Sequence, residues 1–106
     1  MIKIMNAIDC MEKELKHAYK FLDYALEAKH ADMHELYEIY FKIAENEAAN
    51  AELIHTVVIR MVDKASLNGD NPPPQGMKDI WNWRHKDYVE EYSQFKAKVD
   101  ALKRLS

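Results

Sequence analysis

Two glutamates, Glu14 and Glu47, interrupt rows of apolar residues that recur at steps of three and four along the sequence. A residue in such a row is expected to be buried when the segment folds as an amphipathic helix. Burial of a carboxylate is costly unless the group is protonated, paired with a positive charge or bound to a metal ion. Glu14 and Glu47 are therefore the residues at which we expect chemistry.

Three long helices are expected to position these glutamates. The apolar rows, free of internal Gly and Pro, predict a first helix at about residues 4–29 and a second at about residues 32–67. Asp32 and Glu35 have the spacing of a capping box at the start of the second helix. A mainly aromatic row at heptad-like spacing predicts a third helix within residues 77–106.

The connections between the helices predict a hairpin followed by a third helix. Residues 29–31 leave room only for a tight turn, so residues 1–67 are predicted to form an antiparallel helical hairpin. Residues 68–76 contain three consecutive prolines and are predicted to be a stiff linker. We expect the hairpin, the linker and the third helix to make one domain overall.

The position of the turn predicts which residues of the hairpin meet. With the turn near residues 30–31, Glu14 and Glu47 are expected to face each other at one level of the core. Two adjacent carboxylates do not both stay ionised unless a cation or a positive residue lies between them. The pair is thus predicted to hold a cation, a proton or a basic side chain.

The composition restricts the fold to the all-α class, and the broad apolar side of the second helix indicates that the protein assembles with itself. The chain has 106 residues with only two Gly and three Pro, which supply too few turns for a fold rich in strands. The second helix is apolar over more of its circumference than one neighbouring helix covers. We therefore predict a homodimer or larger assembly in which two hairpins form a four-helix bundle.

Charge, hydropathy and cysteine content exclude several functional classes. The net charge is −3 with both signs interspersed, so no basic stripe indicates a nucleic-acid partner. No stretch has the length and hydropathy of a membrane span or a signal peptide, and the single cysteine, Cys10, excludes an intramolecular disulfide. These features lead us to expect a cytoplasmic protein with neither nucleic acid nor membrane as its partner.

The residues around both glutamates resemble the half-site motif of ferritin-like di-iron proteins. In that family a Glu on one helix and a Glu-x-x-His motif on the next helix together supply the metal ligands of one half-site. The segments Met11–Ala18 and Tyr40–His55 resemble these two motifs in small rubrerythrin- and bacterioferritin-type proteins of bacterial or phage origin. The resemblance implies a ferritin-like four-helix bundle, iron or manganese as the cofactor and iron oxidation as the activity. It also implies four metal ligands, namely Glu14, Glu47, Glu52 and His55.

One position departs from this pattern and weakens the implied chemistry. Asn50 stands where the family has its His after Glu47, and the Glu-x-x-His formed by Glu52 and His55 begins about 7.5 Å further along the helix. We therefore expect a degenerate site and lean against enzymatic activity. The alternative function is a non-catalytic helical assembly protein that binds no metal.

The sequence leaves three states of the glutamate pair open. Glu14 and Glu47 from two chains could form a working metal site, with the imidazole supplied by His55, His17 or His85. A degenerate site could instead hold the carboxylates with Arg84 or with tyrosine hydroxyls. In the third state Glu47 is exposed to solvent, because the second helix has a slightly different rotation from the one assumed.

Overall fold

The computed structural model of this chain describes residues 2–66 and 74–105, and nearly all of them are helical. Helix α1 spans Ile2–His30, α2 spans His34–Ser66 and α3 spans Gln75–Leu105. No strand occurs in these two stretches, so the predicted all-α class is confirmed. The predicted end of the second helix at Leu67, and most of the predicted linker with Pro72 and Pro73, lie outside the described residues.

The chain divides into two compact units, residues Met1–Lys64 and Ala65–Ser106. In the first unit, α1 and α2 form an antiparallel hairpin. Each helix has a buried row with steps of three or four residues, apart from one step of seven in α2. The buried row of α1 is mostly large, whereas that of α2 is small. Large side chains facing small ones interdigitate and allow close packing of two helices. The rows consist of Ile4, Ile8, Met11, Leu15, Ala18, Leu22, Ala25 and Ala28 in α1, and Ala44, Ala48, Ala51 and Val58 in α2.

Aromatic contacts near the turn fix the register of the hairpin. The ring of Tyr40 on α2 lies 6.2 Å from that of Phe21 and 5.6 Å from that of Tyr24, both on α1. One turn closer to the connection, the Nζ atom of Lys29 lies 5.2 Å from the ring centre of Tyr37, a cation–π contact between the two helices. These contacts hold the helices side by side at the end where they are joined.

The connection between α1 and α2 is a Schellman motif rather than a helix N-cap. The N–H of Met33 donates to the carbonyl of Ala28 at 2.9 Å, and that of Asp32 donates to the carbonyl of Lys29 at 3.1 Å. Asp32 has a φ of 56°, the left-handed conformation that this motif requires. The expected capping box of Asp32 and Glu35 is therefore wrong, because Asp32 lies in the turn after α1 and Met33, not Asp32, directly precedes the first residue of α2.

Asp32→Gly is expected to raise the free energy of unfolding by roughly 0.5 kcal/mol, because glycine adopts the left-handed conformation without the Cβ clash. Part of the gain is offset by the greater freedom of glycine in the unfolded chain. The matched variant Asp32→Val should lower the free energy of unfolding by about 1–2 kcal/mol, since a β-branched residue strains there. Urea unfolding of both variants measures the difference, and a less stable glycine variant would contradict this account of the turn.

Helix α3 begins directly after Pro74 and has one face that is less exposed than the others. The carbonyl of Pro74 accepts hydrogen bonds from the N–H groups of Met77 and Lys78, at 3.0 and 3.2 Å. Within the predicted aromatic row, Tyr88, Phe95, Val99 and Leu102 are buried, and Met77, Trp81, Arg84 and Tyr92 are half-buried. The predicted face of the third helix is thus confirmed.

Candidate carboxylate site

Helices α1 and α2 bring the carboxyl groups of Glu14 and Glu47 together. The two carboxyl groups lie close enough to interact, because the proximity of Glu47 raises the pKa of Glu14, and both side chains are half-buried. Phe21 and Tyr40 contact each other towards the turn, seven residues from Glu14 and Glu47 respectively, so the pair belongs to the regular register of the hairpin. The expected meeting of the glutamates is confirmed, but the two side chains are half-buried rather than buried in the core as expected.

The environment favours the protonated form of Glu14. Its pKa is raised above the ordinary value of 4.5 first by the hydrogen bond to Glu47, then by desolvation and by repulsion from the Glu47 charge. His17, one turn further along α1, acts in the opposite direction and lowers the pKa of Glu14. The Oε2 atom of Glu14 is shielded from solvent and accepts no hydrogen bond from the described residues.

These features allow two chemical states of the pair. A hydrogen bond between two carboxyl groups needs a proton on one of them, which the raised pKa of Glu14 favours. Alternatively, a divalent cation can replace that proton, neutralise both charges and use the unpaired Oε2 atom of Glu14 as a ligand. Either state satisfies a carboxylate that would otherwise be buried at a cost.

Glu52 and His55, the other two predicted ligands, form a separate pair on α2. The Nδ1 atom of His55 lies 3.3 Å from the Oε2 atom of Glu52, a distance at which the two side chains form an ion pair when His55 is protonated. The hydroxyl of Thr56 donates to the backbone carbonyl of Glu52 at 2.9 Å. At 3.6 residues per turn, Glu47 and Glu52 point about 140° apart around α2, so they lie on different flanks of the helix.

The other histidines and Asn50 have different surroundings. His17 is exposed but close enough to Glu14 to affect its pKa. His85 belongs to α3 and stacks on Trp81, with ring centres 4.7 Å apart. Asn50, at the position of the family histidine, is exposed. Across residues 2–66 and 74–105, no three His, Cys, Asp or Glu side chains lie close enough together to hold a metal ion.

An aromatic cluster between the glutamates and the turn was not anticipated from the sequence. Phe21 and Tyr24 form an edge-to-face pair with ring centres 5.8 Å apart, and both contact Tyr40 across the hairpin. Tyr24 and Tyr40 also line a shallow groove of about 430 Å³ that continues to Met33 at the turn. The spacing of Phe21 and Tyr24, three residues apart on one helix face, was the available signal.

No family model, curated protein or solved structure matches this chain. The ferritin-like resemblance therefore depends on the motif residues and the hairpin geometry alone. A search for membrane-spanning helices over the described residues finds no helix that combines the necessary length and hydropathy.

Proposed function

We propose that this chain is a ferritin-like helical-bundle protein in which the pair of Glu14 and Glu47 binds a divalent cation, iron or manganese, between two copies of the hairpin. The observation that supports this most strongly is the contact between two half-buried carboxyl groups from antiparallel helices. One oxygen of this pair, Oε2 of Glu14, is shielded from solvent and makes no hydrogen bond to the residues that the structure describes. A cation satisfies both features at once.

The second copy is needed because one hairpin offers too few ligands. A protein site for iron or manganese usually has more than two protein ligands, with oxygen and imidazole donors preferred. One chain contributes two adjacent carboxylates, Glu14 and Glu47, and the nearby imidazole of His17 is exposed. Two hairpins that meet on the side where Glu14 and Glu47 lie would bring two such pairs together. The number of carboxylate ligands would then equal that of a ferritin-like centre.

We propose cation binding without efficient iron oxidation. A di-iron oxidase uses histidine as well as glutamate and keeps an open position for oxygen. Here Asn50 replaces the histidine that would follow Glu47, and His55 is paired with Glu52 on another flank of α2. The site thus has the carboxylate half of the ferritin-like ligand set but not its imidazole half.

A metal-free helical assembly protein is the second candidate. The raised pKa of Glu14 favours this alternative, because a single shared proton already satisfies the hydrogen bond between Glu14 and Glu47. In this function the pair would set the register between helices, as single polar residues do in coiled coils. Both candidates use the same bundle, and metal uptake separates them.

The test is metal uptake by protein purified without chelator and then dialysed against Mn(II), or against Fe(II) without oxygen. Wild-type protein is expected to retain metal, and Glu47→Gln is expected to retain none, because the amide cannot supply a second negative ligand. Glu38→Gln, an exposed position on the same helix, is the matched control and should bind as the wild type does. Equal metal contents in wild type and Glu47→Gln, or none in the wild type, would overturn the cation site.

A further inference from the structure

Helix α2 has a second row of residues, which remains largely exposed and which we call the outer strip. Its apolar members include Ile39, Leu53 and Val57, with 55%, 68% and 47% of their surface exposed. Large apolar side chains concentrated along one exposed line of a helix indicate an interaction surface. The outer strip consists of Ile39, Ile43, Asn46, Asn50, Leu53 and Val57, and it spans about 27 Å.

The outer strip has the same chemical pattern in both directions. Its residues follow one another at steps of four, three, four, three and four, and read apolar, apolar, Asn, Asn, apolar, apolar. When a second α2 is laid antiparallel with the two-fold axis at the level of residue 48, Ile39 meets Val57 and Ile43 meets Leu53. A surface that is complementary to itself in this way fits an isologous contact between two identical chains.

Charges at the two ends of the outer strip select the antiparallel arrangement. The N-terminal end has the exposed carboxylates of Asp32 and Glu35, and the C-terminal end has the exposed cations of Arg60 and Lys64. An antiparallel partner brings acidic and basic ends together twice, once at each end of the contact. A parallel partner would place like charges opposite each other, which opposes association.

We propose that the outer strip of α2 is the surface on which a second copy of this chain docks antiparallel, with Asn46 of one copy beside Asn50 of the other. The two asparagines can hydrogen bond across the axis and thereby fix the register, as buried polar residues do in coiled coils. The contact itself requires no metal. The docking surface rests on the proposed function only for one consequence. In the docked pair, the Glu47 residues of the two copies lie within one helical turn of the two-fold axis, measured along α2.

The sharpest test compares Val57→Glu with Thr56→Glu. Both positions are exposed in the chain and adjacent in sequence, but they point about 100° apart around the helix, and only Val57 belongs to the outer strip. In analytical ultracentrifugation with chelator present, wild type and Thr56→Glu should sediment as dimers of the 12.5 kDa chain. Val57→Glu should weaken the dimer roughly a hundredfold or more, because the contact would enclose an unpaired charge in each copy.

A cross-linking experiment tests the register independently. In a Cys10→Ser background, a mixture of Asn46→Cys and Asn50→Cys chains should form a disulfide-linked heterodimer on mild oxidation, since these positions lie opposite each other. Either variant alone should cross-link much less, because identical positions are offset by about 6 Å along the axis. Circular dichroism of each variant checks that its helices are intact.

The outcomes distinguish the docking surface from the cation site. Monomeric wild-type protein at micromolar concentrations, or a Val57→Glu dimer as tight as the wild type, would overturn the docking surface. Cross-linking within each single variant as strong as in the mixture would overturn the register. A dimer that passes these tests but takes up no Mn(II) or Fe(II) would overturn only the cation site.

Discussion

Glu14→Gln is expected to raise the free energy of unfolding of the metal-free protein at pH 7 by about 1 kcal/mol, the interaction energy of two unit charges roughly 4 Å apart in water. The glutamine amide can donate to Glu47 in place of the shared proton and adds no second negative charge. The exposed variant Glu38→Gln should leave the free energy of unfolding within about 0.5 kcal/mol of the wild type. Chemical unfolding with chelator present measures these differences.

The advantage of Glu14→Gln should depend on pH with a defined sign. Because the pKa of Glu14 is raised in the folded state, the folded protein holds this proton more tightly than the unfolded chain. The stabilisation from that proton is fully present below about pH 4.5, the ordinary pKa of Glu14, and is lost as the pH rises through the raised value. The difference between variant and wild type should therefore be smallest in acid and grow towards neutral pH. A difference that stays constant with pH would contradict the raised pKa.

Addition of Mn(II) or Fe(II) should reverse the order of the two proteins. A cation bound between Glu14 and Glu47 raises the free energy of unfolding of the wild type, by an amount that grows with the cation concentration relative to Kd. The glutamine variant has lost one negative ligand and is expected to gain less. Thermal unfolding with and without metal therefore reports on the cation site through stability alone. If metal shifts both melting temperatures equally, or neither, the ion does not bind at this pair.

Ala51→Leu is expected to lower the free energy of unfolding by about 1–3 kcal/mol, because the added side chain has no space between the packed helices. Ala51 has no exposed surface and belongs to the small-residue row of α2, with Ala44 and Ala48. Ala49→Leu is the matched control, since Ala49 is exposed on the same helix and the substitution is identical. The control should change the free energy of unfolding by less than about 0.5 kcal/mol. Equal effects of the two substitutions would show that α2 does not pack through its alanine row.

Local features of the sequence were sufficient for the helices and for the level at which the glutamates meet. Long stretches without internal Gly or Pro, together with apolar steps of three and four, restrict the chain to helices. The short turn near His30 then sets the antiparallel register, and the contact of Glu14 with Glu47 follows from helical rise alone. These properties depend on residues near each other in the chain, which is why they could be predicted.

The conformation of the turn and the choice among the faces of α2 required the tertiary structure. Asp32 and Glu35 have the spacing of a capping box in the sequence. The tight turn between the antiparallel helices requires a residue in the left-handed conformation, however, and Asp32 is that residue. The residues predicted to form the apolar side of α2 are all buried or half-buried, but the exposed apolar residues Ile39, Leu53 and Val57 were not part of that prediction. Rotation of the helix by a few tens of degrees changes which of them face α1, and composition does not determine that rotation.

The candidate ligands show the same division between sequence and structure. Glu52 and His55 match the ferritin-like spacing in sequence, yet in the folded chain they pair with each other at 3.3 Å, on a different flank of α2 from Glu47. Spacing along one helix determines which side chains are neighbours on that helix. Which carboxylates from two helices come together, and which apolar strip stays exposed, is decided only when the helices pack, because packing selects one face of each helix.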